Sequence, residues 1–153
     1  MSETSSKTAT QAGIDPRGPQ FTAALTVVVI LLALLLPQPW ALVVTVIQTV
    51  LFAIGAGLGV QRTPHAWLFK KFVRPRLGAP DELEDPAPPR FAQGVGLAFL
   101  VVALVGYLVG ATLVAQIALG LALVAAVLNA VFRFCLGCEI YLLIRRLGSP
   151  RSA

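Results

Sequence analysis

Two cysteines are the residues of this chain whose type and spacing are best suited to chemistry. Cys135 and Cys138 are the only cysteines, and two residues separate them in the segment RFCLGCE. Chance rarely places the only two cysteines of a chain three positions apart. On a helical turn this spacing puts both sulfur atoms on one side, close enough to form a disulfide. The C-x-x-C motif therefore indicates a dithiol that exchanges electrons or sulfur with a partner.

The neighbours of the pair predict which sulfur is the more reactive. Cys135 lies two residues after Arg133, and a helix that begins here would offer free amide groups that favour a thiolate at Cys135. Cys138 precedes Glu139, whose negative charge disfavours a neighbouring thiolate. We therefore expect Cys135 to attack a partner and Cys138 to resolve the mixed disulfide. On the reducing side of a membrane the resting pair is expected to be reduced.

Two other interpretations of the cysteines stay open. Cysteine packs well in apolar interiors, so the pair could be two small residues without chemistry. Two thiolates also supply half of a tetrahedral zinc shell, and His65, the only histidine, could add a ligand. A lone histidine beside Pro64 and Trp67 is more typical of the membrane interface. We therefore predict no metal and no other cofactor.

The elements that position the cysteines must lie in a membrane. The chain has 153 residues, of which 57% are hydrophobic and only 12% charged. This composition excludes a disordered chain and argues against a soluble enzyme, because so small a core cannot hide long apolar runs. At about 20 residues per crossing, four runs predict four transmembrane helices: Phe21–Leu36, Ala41–Val60, Phe91–Val109 and Ala111–Phe132.

The positive charges predict the orientation of these spans. All twelve Lys and Arg residues lie before the first span, between the second and third, or after the fourth. Four spans put these three segments on one side of the membrane, which the positive-inside rule identifies as the cytoplasm. Both termini are therefore expected in the cytoplasm. The net charge of +5 is explained by these membrane flanks, and no motif points to nucleic acid.

The segment between the second and third spans contains two different patterns. Aromatic and basic residues alternate from Ala66 to Arg74, which is typical of a short helix lying at the membrane surface. The acidic residues at 81–85, followed by prolines at 86, 88 and 89, predict a stiff solvated linker. Within the spans, Gly55 with Gly59 and Gly106 with Gly110 offer close-packing faces.

The chain also resembles itself at an offset of seventy residues. The segment DPRGPQF at 15–21 aligns with DPAPPRF at 85–91, and RLGAP at 76–80 aligns with RLGSP at 146–150. We interpret this as a tandem duplication of a transmembrane hairpin. Two spans per unit give both units the same orientation, so an axis along the membrane normal would relate them.

The predicted fold is an all-α membrane protein with four transmembrane helices in two tandem hairpins, each followed by a cytoplasmic interfacial helix. A flexible N-terminus at 1–14 precedes a single domain at 15–148, whose repeats are predicted at 15–80 and 85–150. The offset of seventy residues places His65 opposite Cys135 and Trp67 opposite Gly137. We therefore predict that His65 and Trp67 lie near the cysteine pair.

Several segments together resemble a known family. They are the residues at 14–21, 67–77 and 88–93 and the FCLGCE string at 134–139, the most specific of the four. Over residues 14–147 the chain is similar to the bacterial domain of unknown function 4395. The resemblance implies a small integral protein of the bacterial plasma membrane without an assigned activity. Members often occur beside thioredoxin-like proteins and thiosulfate sulfurtransferases, which favours redox or sulfur chemistry at the cysteines.

The function expected from the sequence is a thiol-redox or sulfur-relay component of the membrane. Its predicted site consists of Cys135 and Cys138, supported by Arg133, Glu139, His65 and Trp67. Its expected partners are the lipid bilayer and a thioredoxin-like protein or sulfurtransferase, with a homo-oligomer as a further possible assembly. The alternative is a structural or accessory subunit of a membrane complex without chemistry of its own.

Overall fold

Four long helices dominate the structure. A computed structural model describes residues 13–149; it is all-helical, with 81% helix and no strand within that range. The flexible N-terminus is predicted at 1–14, and its residues 1–12 lie outside the described part of the chain. The long helices are α1 (Arg17–Leu35), α2 (Trp40–Leu58), α5 (Ala87–Leu108) and α6 (Thr112–Phe132). Each is long and apolar enough to cross a membrane, as predicted from the four runs.

The third span begins earlier than its apolar run. The sequence predicts that it starts at Phe91, whereas α5 starts at Ala87. The prediction of a linker is therefore wrong for Pro88 and Pro89, which form the first turn of α5. Proline fits there because its ring fixes a helical φ and the first turn needs no amide donors.

The long helices pack as a bundle whose centre is made of small side chains. α1 packs against α2 and α6, and α5 packs against α2 and α6. Five alanines lie in the core beside Ile30, Phe52, Leu100 and Leu119: Ala33, Ala103, Ala115, Ala118 and Ala122. Large apolar side chains such as Leu35, Val50, Leu113 and Val131 remain exposed on the outside. A soluble protein would not expose so much apolar surface, so these side chains face lipid.

The four glycines singled out in the spans do not all serve close packing. A Cβ on Gly55 would collide with the Gln93 side chain, and one on Gly106 would crowd the backbone of α6. Gly59 and Gly110 instead face open space and have φ angles of +104° and +78°. The expectation of packing faces is therefore wrong for Gly59 and Gly110, which turn the chain after α2 and α5.

Shorter helices follow each pair of long ones. After α2, a 3-10 turn (Val60–Arg62) leads to α3 (Pro64–Leu68), a π-helical turn (Phe69–Val73) and α4 (Arg74–Leu77). After α6, the chain continues into α7 (Leu136–Gly148), which packs mainly against α5. The first group is longer than the predicted helix over Ala66 to Arg74, because Thr63 caps α3 by accepting the Ala66 amide.

Candidate functional site

The cysteines lie where the chain changes direction after α6. Arg133 ends α6 with a φ of +55°, a left-handed conformation that glycine usually adopts. The amides of Arg133 and Phe134 both donate to the Leu128 carbonyl, which fixes the turn. The backbone of Arg133 thus determines where Cys135 lies. An electrostatic effect of its exposed guanidinium on the thiolate stays a prediction.

Cys135 is the residue that caps the N-terminus of α7. Its sulfur accepts the Cys138 amide at 3.3 Å, and its carbonyl accepts the Glu139 amide at 3.0 Å. The sequence prediction that Cys135 lies at the start of a helix is confirmed. A sulfur in this position receives the partial positive charge of the free amides, which favours its thiolate form.

The two sulfur atoms are bonded to each other, and the two Cα atoms are 5.1 Å apart. Cys135 and Cys138 therefore meet the geometric requirement for a reversible disulfide without rearrangement of the backbone. Both residues are partly exposed rather than buried. That the resting pair is reduced on the cytoplasmic side stays a prediction.

Gly137 fixes the cysteine turn against α5. A Cβ on Gly137 would lie 2.6 Å from both Cα and Cβ of Ala92, which is closer than real side chains approach. Only glycine lets the turn pack directly on the helix. The position of both sulfur atoms relative to α5 is therefore determined by this contact.

Glu139 lies in the first turn of α7 and is exposed. A carboxylate is favoured at a helix N-terminus, so Glu139 competes with the sulfur of Cys135 for the same partial charge. That Glu139 disfavours a thiolate at the neighbouring Cys138 stays a prediction.

His65 and Trp67 occupy different surroundings in and near α3. His65 is buried, and burial lowers the pKa of its imidazole, which favours the neutral form. Trp67 is 55% exposed, and Lys71 lies over its ring with Nζ 4.7 Å from the centroid. Proximity of either residue to the cysteines stays a prediction. Among residues 13–149 no group of three or more His, Cys, Asp and Glu side chains is arranged to hold a metal.

A cavity of about 510 Å³ opens beside Cys135, between the long helices. Cys135 and Gly137 line it from one side, and Thr63 and Ala66, which flank His65, line it from another. Cys138 is not among the lining residues. The start of α7 and the start of α3 thus line one space, which no pattern in the sequence predicts.

The cavity lies at the end of the bundle where α1 and α5 begin, which we call the basic end. There Gln20 donates to the Ala130 carbonyl of α6, and Arg90 donates to the Ala56 and Gly57 carbonyls of α2. The cavity reaches Thr26 in α1, which at 1.5 Å per residue is about 14 Å from the start of that helix. It therefore extends to about half the depth of a hydrocarbon layer.

Two short segments cross over the cavity at the basic end. Ile14 and Glu84 exchange two backbone hydrogen bonds of 2.9 Å, and Ile14 and Leu83 line the cavity. Asp15 forms an ion pair of 2.8 Å with Arg17. The hydrogen bonds from Arg17 hold the pKa of Asp15 below its usual value. The same guanidinium donates to the carbonyls of residues 77 and 78, so it joins the start of α1 to the end of α4.

Comparison with known proteins identifies one family. The family described as a domain of unknown function (DUF4395) matches residues 14–146, which is most of the chain. No curated protein and no solved structure matches.

Proposed function

Because the chain belongs to the DUF4395 family, whose description assigns no activity, we propose from its geometry that it is a thiol-redox or sulfur-relay component of the membrane. The observation that carries the proposal is the position of Cys135. Its sulfur caps α7, lies at bonding distance from Cys138 and is partly exposed. A sulfur with these three properties is suited to thiol exchange, whereas a buried cysteine would be inert.

The exchange is a two-step transfer. The Cys135 thiolate attacks one sulfur of a disulfide in the partner, that disulfide breaks, and the departing sulfur takes a proton. Cys138 then loses its proton and attacks Cys135, which releases the second partner sulfur as a thiol. The partner gains two electrons and two protons, and the pair in this chain becomes a disulfide. The reverse sequence reduces the pair.

The partner is a soluble thioredoxin-like or sulfurtransferase domain that approaches the basic end. Arg133 is exposed beside the cysteine turn, and Arg145 and Arg146 are exposed in the last turn of α7. Lys70 and Lys71 are exposed on the segment that follows α2. A cationic surface of this kind speeds the encounter with an acidic partner and orients it. Nucleic acid and metal have no part in the proposal.

The architecture that supports this role is two tandem hairpins related by a two-fold axis along the membrane normal. One contact joins residues seventy positions apart, and other contacts recur at equivalent positions of the two repeats. Ile14 pairs with Glu84, and the carboxylates of Asp15 and Asp85 accept the amides of Arg17 and Ala87 at 3.0 and 2.9 Å. Gln20 and its counterpart Arg90 each reach the last turn of a helix in the other hairpin. Such reciprocal contacts are what a duplicated unit would make.

The basic end is proposed to face the cytoplasm, with α7 and the α3–α4 segment lying at the membrane surface. α7 has exposed apolar residues such as Leu143 and Leu147 on one face and Arg145 and Arg146 on another. No residue of α7 is buried in the bundle. An amphipathic helix without a buried face is typical of the lipid interface.

Alkylation of inverted membrane vesicles tests the redox proposal. Under reducing conditions Cys135 is expected to react with a maleimide without detergent, and mild oxidation should protect it until a dithiol reductant is added. In Cys138→Ser the mixed disulfide cannot be resolved, so a thioredoxin-like partner should remain attached to Cys135. Cys135→Ser is the matched control and should trap nothing.

The alternative, a structural subunit, predicts a different outcome. If neither cysteine reacts unless the membrane is dissolved and denatured, the pair only packs. In that case Cys135→Ser with Cys138→Ser should leave the phenotype and the membrane level unchanged. The contact between Gly137 and Ala92 favours this alternative, since it gives the turn a packing role.

A further inference from the structure

The wall of the cavity changes in polarity with depth. Measured along the helices at 1.5 Å per residue, Asn129, Thr22 and Gln93 lie about 5–9 Å from the basic end. Ala122 and Phe99 lie about 15–18 Å deep on the same scale. Hydroxyl and amide groups thus line the middle of the cavity, and its inner part is apolar apart from the Thr26 hydroxyl, which accepts a hydrogen bond from Gln48. A ligand with a polar head and an apolar tail fits this order.

The outer part of the cavity combines a redox sulfur with positive charge. Cys135 lines it just beyond the end of α6, and Lys70 and Arg74 line it from the segment that follows α2. Both cations are exposed to solvent, while the inner wall lies among the transmembrane helices. A ligand head that extends from the outer part into the middle of the cavity would pass the two cations and the Cys135 sulfur and reach the hydroxyl and amide groups.

We propose that this cavity binds a membrane quinone as the electron acceptor of the cysteine pair, an inference that rests on the proposed thiol-redox function. A quinone is a bilayer-soluble oxidant with a neutral ring, two carbonyl oxygens and an apolar tail. Thr22, Gln93 and Asn129 supply donors for the carbonyls, and the inner wall takes the tail. At about 510 Å³ the cavity has the size of a typical small-molecule site.

The reaction balances as a two-electron transfer. Cys135 and Cys138 lose two protons and two electrons as one S–S bond forms. The quinone takes up both electrons and two protons, so its carbonyl oxygens become the two hydroxyls of a quinol. Lys70 and Arg74 stabilise the negative charge that develops on the ring oxygen before protonation. The disulfide left in the chain then oxidises the soluble thiol partner.

Other occupants fit the wall less well. A lipid acyl chain would match the inner wall but would leave the donors of Thr22 and Gln93 without carbonyl oxygens. A water-soluble oxidant would not partition into an apolar space at half the depth of a membrane. The quinone is the class of ligand that uses both the polar middle and the sulfur.

The test uses the full-length protein in lipid nanodiscs, reduced and freed of reductant under anaerobic conditions. Decylubiquinone is added, quinol formation is followed by absorbance, and remaining thiols are counted by maleimide mass shift. One quinol should form and two thiols should disappear per chain, with a rate that saturates as quinone increases. Cys135→Ser should abolish the reaction.

Two substitutions on α6 distinguish an effect of filling the cavity from a general effect on the helix bundle. Ala125 lines the cavity, so Ala125→Phe fills it. Val131 lies on the same helix, is 65% exposed and does not line the cavity, so Val131→Phe is the matched control. Ala125→Phe is expected to slow quinol formation by at least about tenfold, whereas Val131→Phe should leave it unchanged. Thermal unfolding of both variants in detergent shows whether each has folded.

Exchange with oxidised glutathione distinguishes failure of this inference from failure of the proposed function. If the pair exchanges normally in the folded Ala125→Phe variant while its quinone reaction is lost, the inference is supported. If wild type exchanges but its quinone reaction neither saturates nor responds to Ala125→Phe, the quinone site is overturned and the thiol function stands. If wild type reacts with neither reagent, both proposals fail. A phospholipid retained in the cavity that decylubiquinone does not displace also overturns the inference.

Discussion

The position of the Cys135 sulfur is determined by the backbone around it. Its sulfur occupies the position that a serine or aspartate oxygen usually takes at the start of a helix, and it accepts the Cys138 amide. The left-handed Arg133 and the close contact of Gly137 with Ala92 hold that position from both sides. Single residues thus determine which of the two sulfur atoms accepts the hydrogen bond from the backbone amide.

His65 is expected to make the stability of the protein depend on pH. Burial lowers the pKa of its imidazole, so the folded protein binds this proton less readily than the unfolded chain does. The free energy of unfolding should therefore fall as the pH decreases below about 6.5, and this loss should be complete below the pKa in the folded state. Above a pH of about 6.5, His65 should cause no change of the free energy of unfolding with pH.

The unfolding midpoint in detergent, measured between pH 5 and pH 8, checks the role of His65. His65→Gln should have a flatter profile on the acid side than wild type, because glutamine does not titrate. Equal slopes in the two proteins would show that His65 does not cause the acid sensitivity. Asp15 titrates at much lower pH, since hydrogen bonds from Arg17 lower its pKa, so it does not interfere.

α7 is positioned by its first turn rather than by a buried face. None of its residues is buried, and its packing against α5 begins at Gly137. α1 and α5 are likewise determined at their starts, where Asp15 and Asp85 accept the first amides. In these elements the terminal residues, rather than the apolar interior, decide where the helix begins.

Gly137→Ala tests whether the contact with α5 holds the cysteine turn. The new methyl group would collide with Ala92, so the turn must shift at a cost of about 1–3 kcal/mol. We expect a lower unfolding midpoint and faster alkylation of Cys135 in the reduced protein. Gly120→Ala is the control, because a Cβ there meets no atom within 4 Å and alanine in a helix should stabilise by about 0.5–1 kcal/mol. A Gly137→Ala protein that matches wild type in both measurements would contradict the tight contact.

The whole molecule concentrates its polar groups at one end. The ends of α1, α2, α5 and α6 that carry Arg17, Arg62, Arg90 and Arg133 meet there, together with the cavity and the cysteines. At the opposite end only short turns join the helices, and they contain no Lys or Arg. This asymmetry is what the positive-inside rule uses to orient a membrane protein.

Reporter fusions test the orientation of the molecule. A reporter that is active only outside the cytoplasm should be silent when fused after Pro80 or at the C-terminus. The same reporter fused after Gln38, in the turn between α1 and α2, should be active. High activity after Pro80 together with silence after Gln38 would mean that the basic end faces outward.

The sequence alone determined the number of spans, their approximate bounds and the helix start at Cys135, because hydrophobic length and local spacing are properties of contiguous residues. The early start of α5 is not predicted, because prolines at 88 and 89 are typical of a linker as well as of a first helical turn. The cavity, the pairing of Ile14 with Glu84 and the contact of Gly137 with Ala92 were decided only by tertiary structure. Each joins residues far apart in the chain, and the space between packed helices depends on side chains from several elements at once.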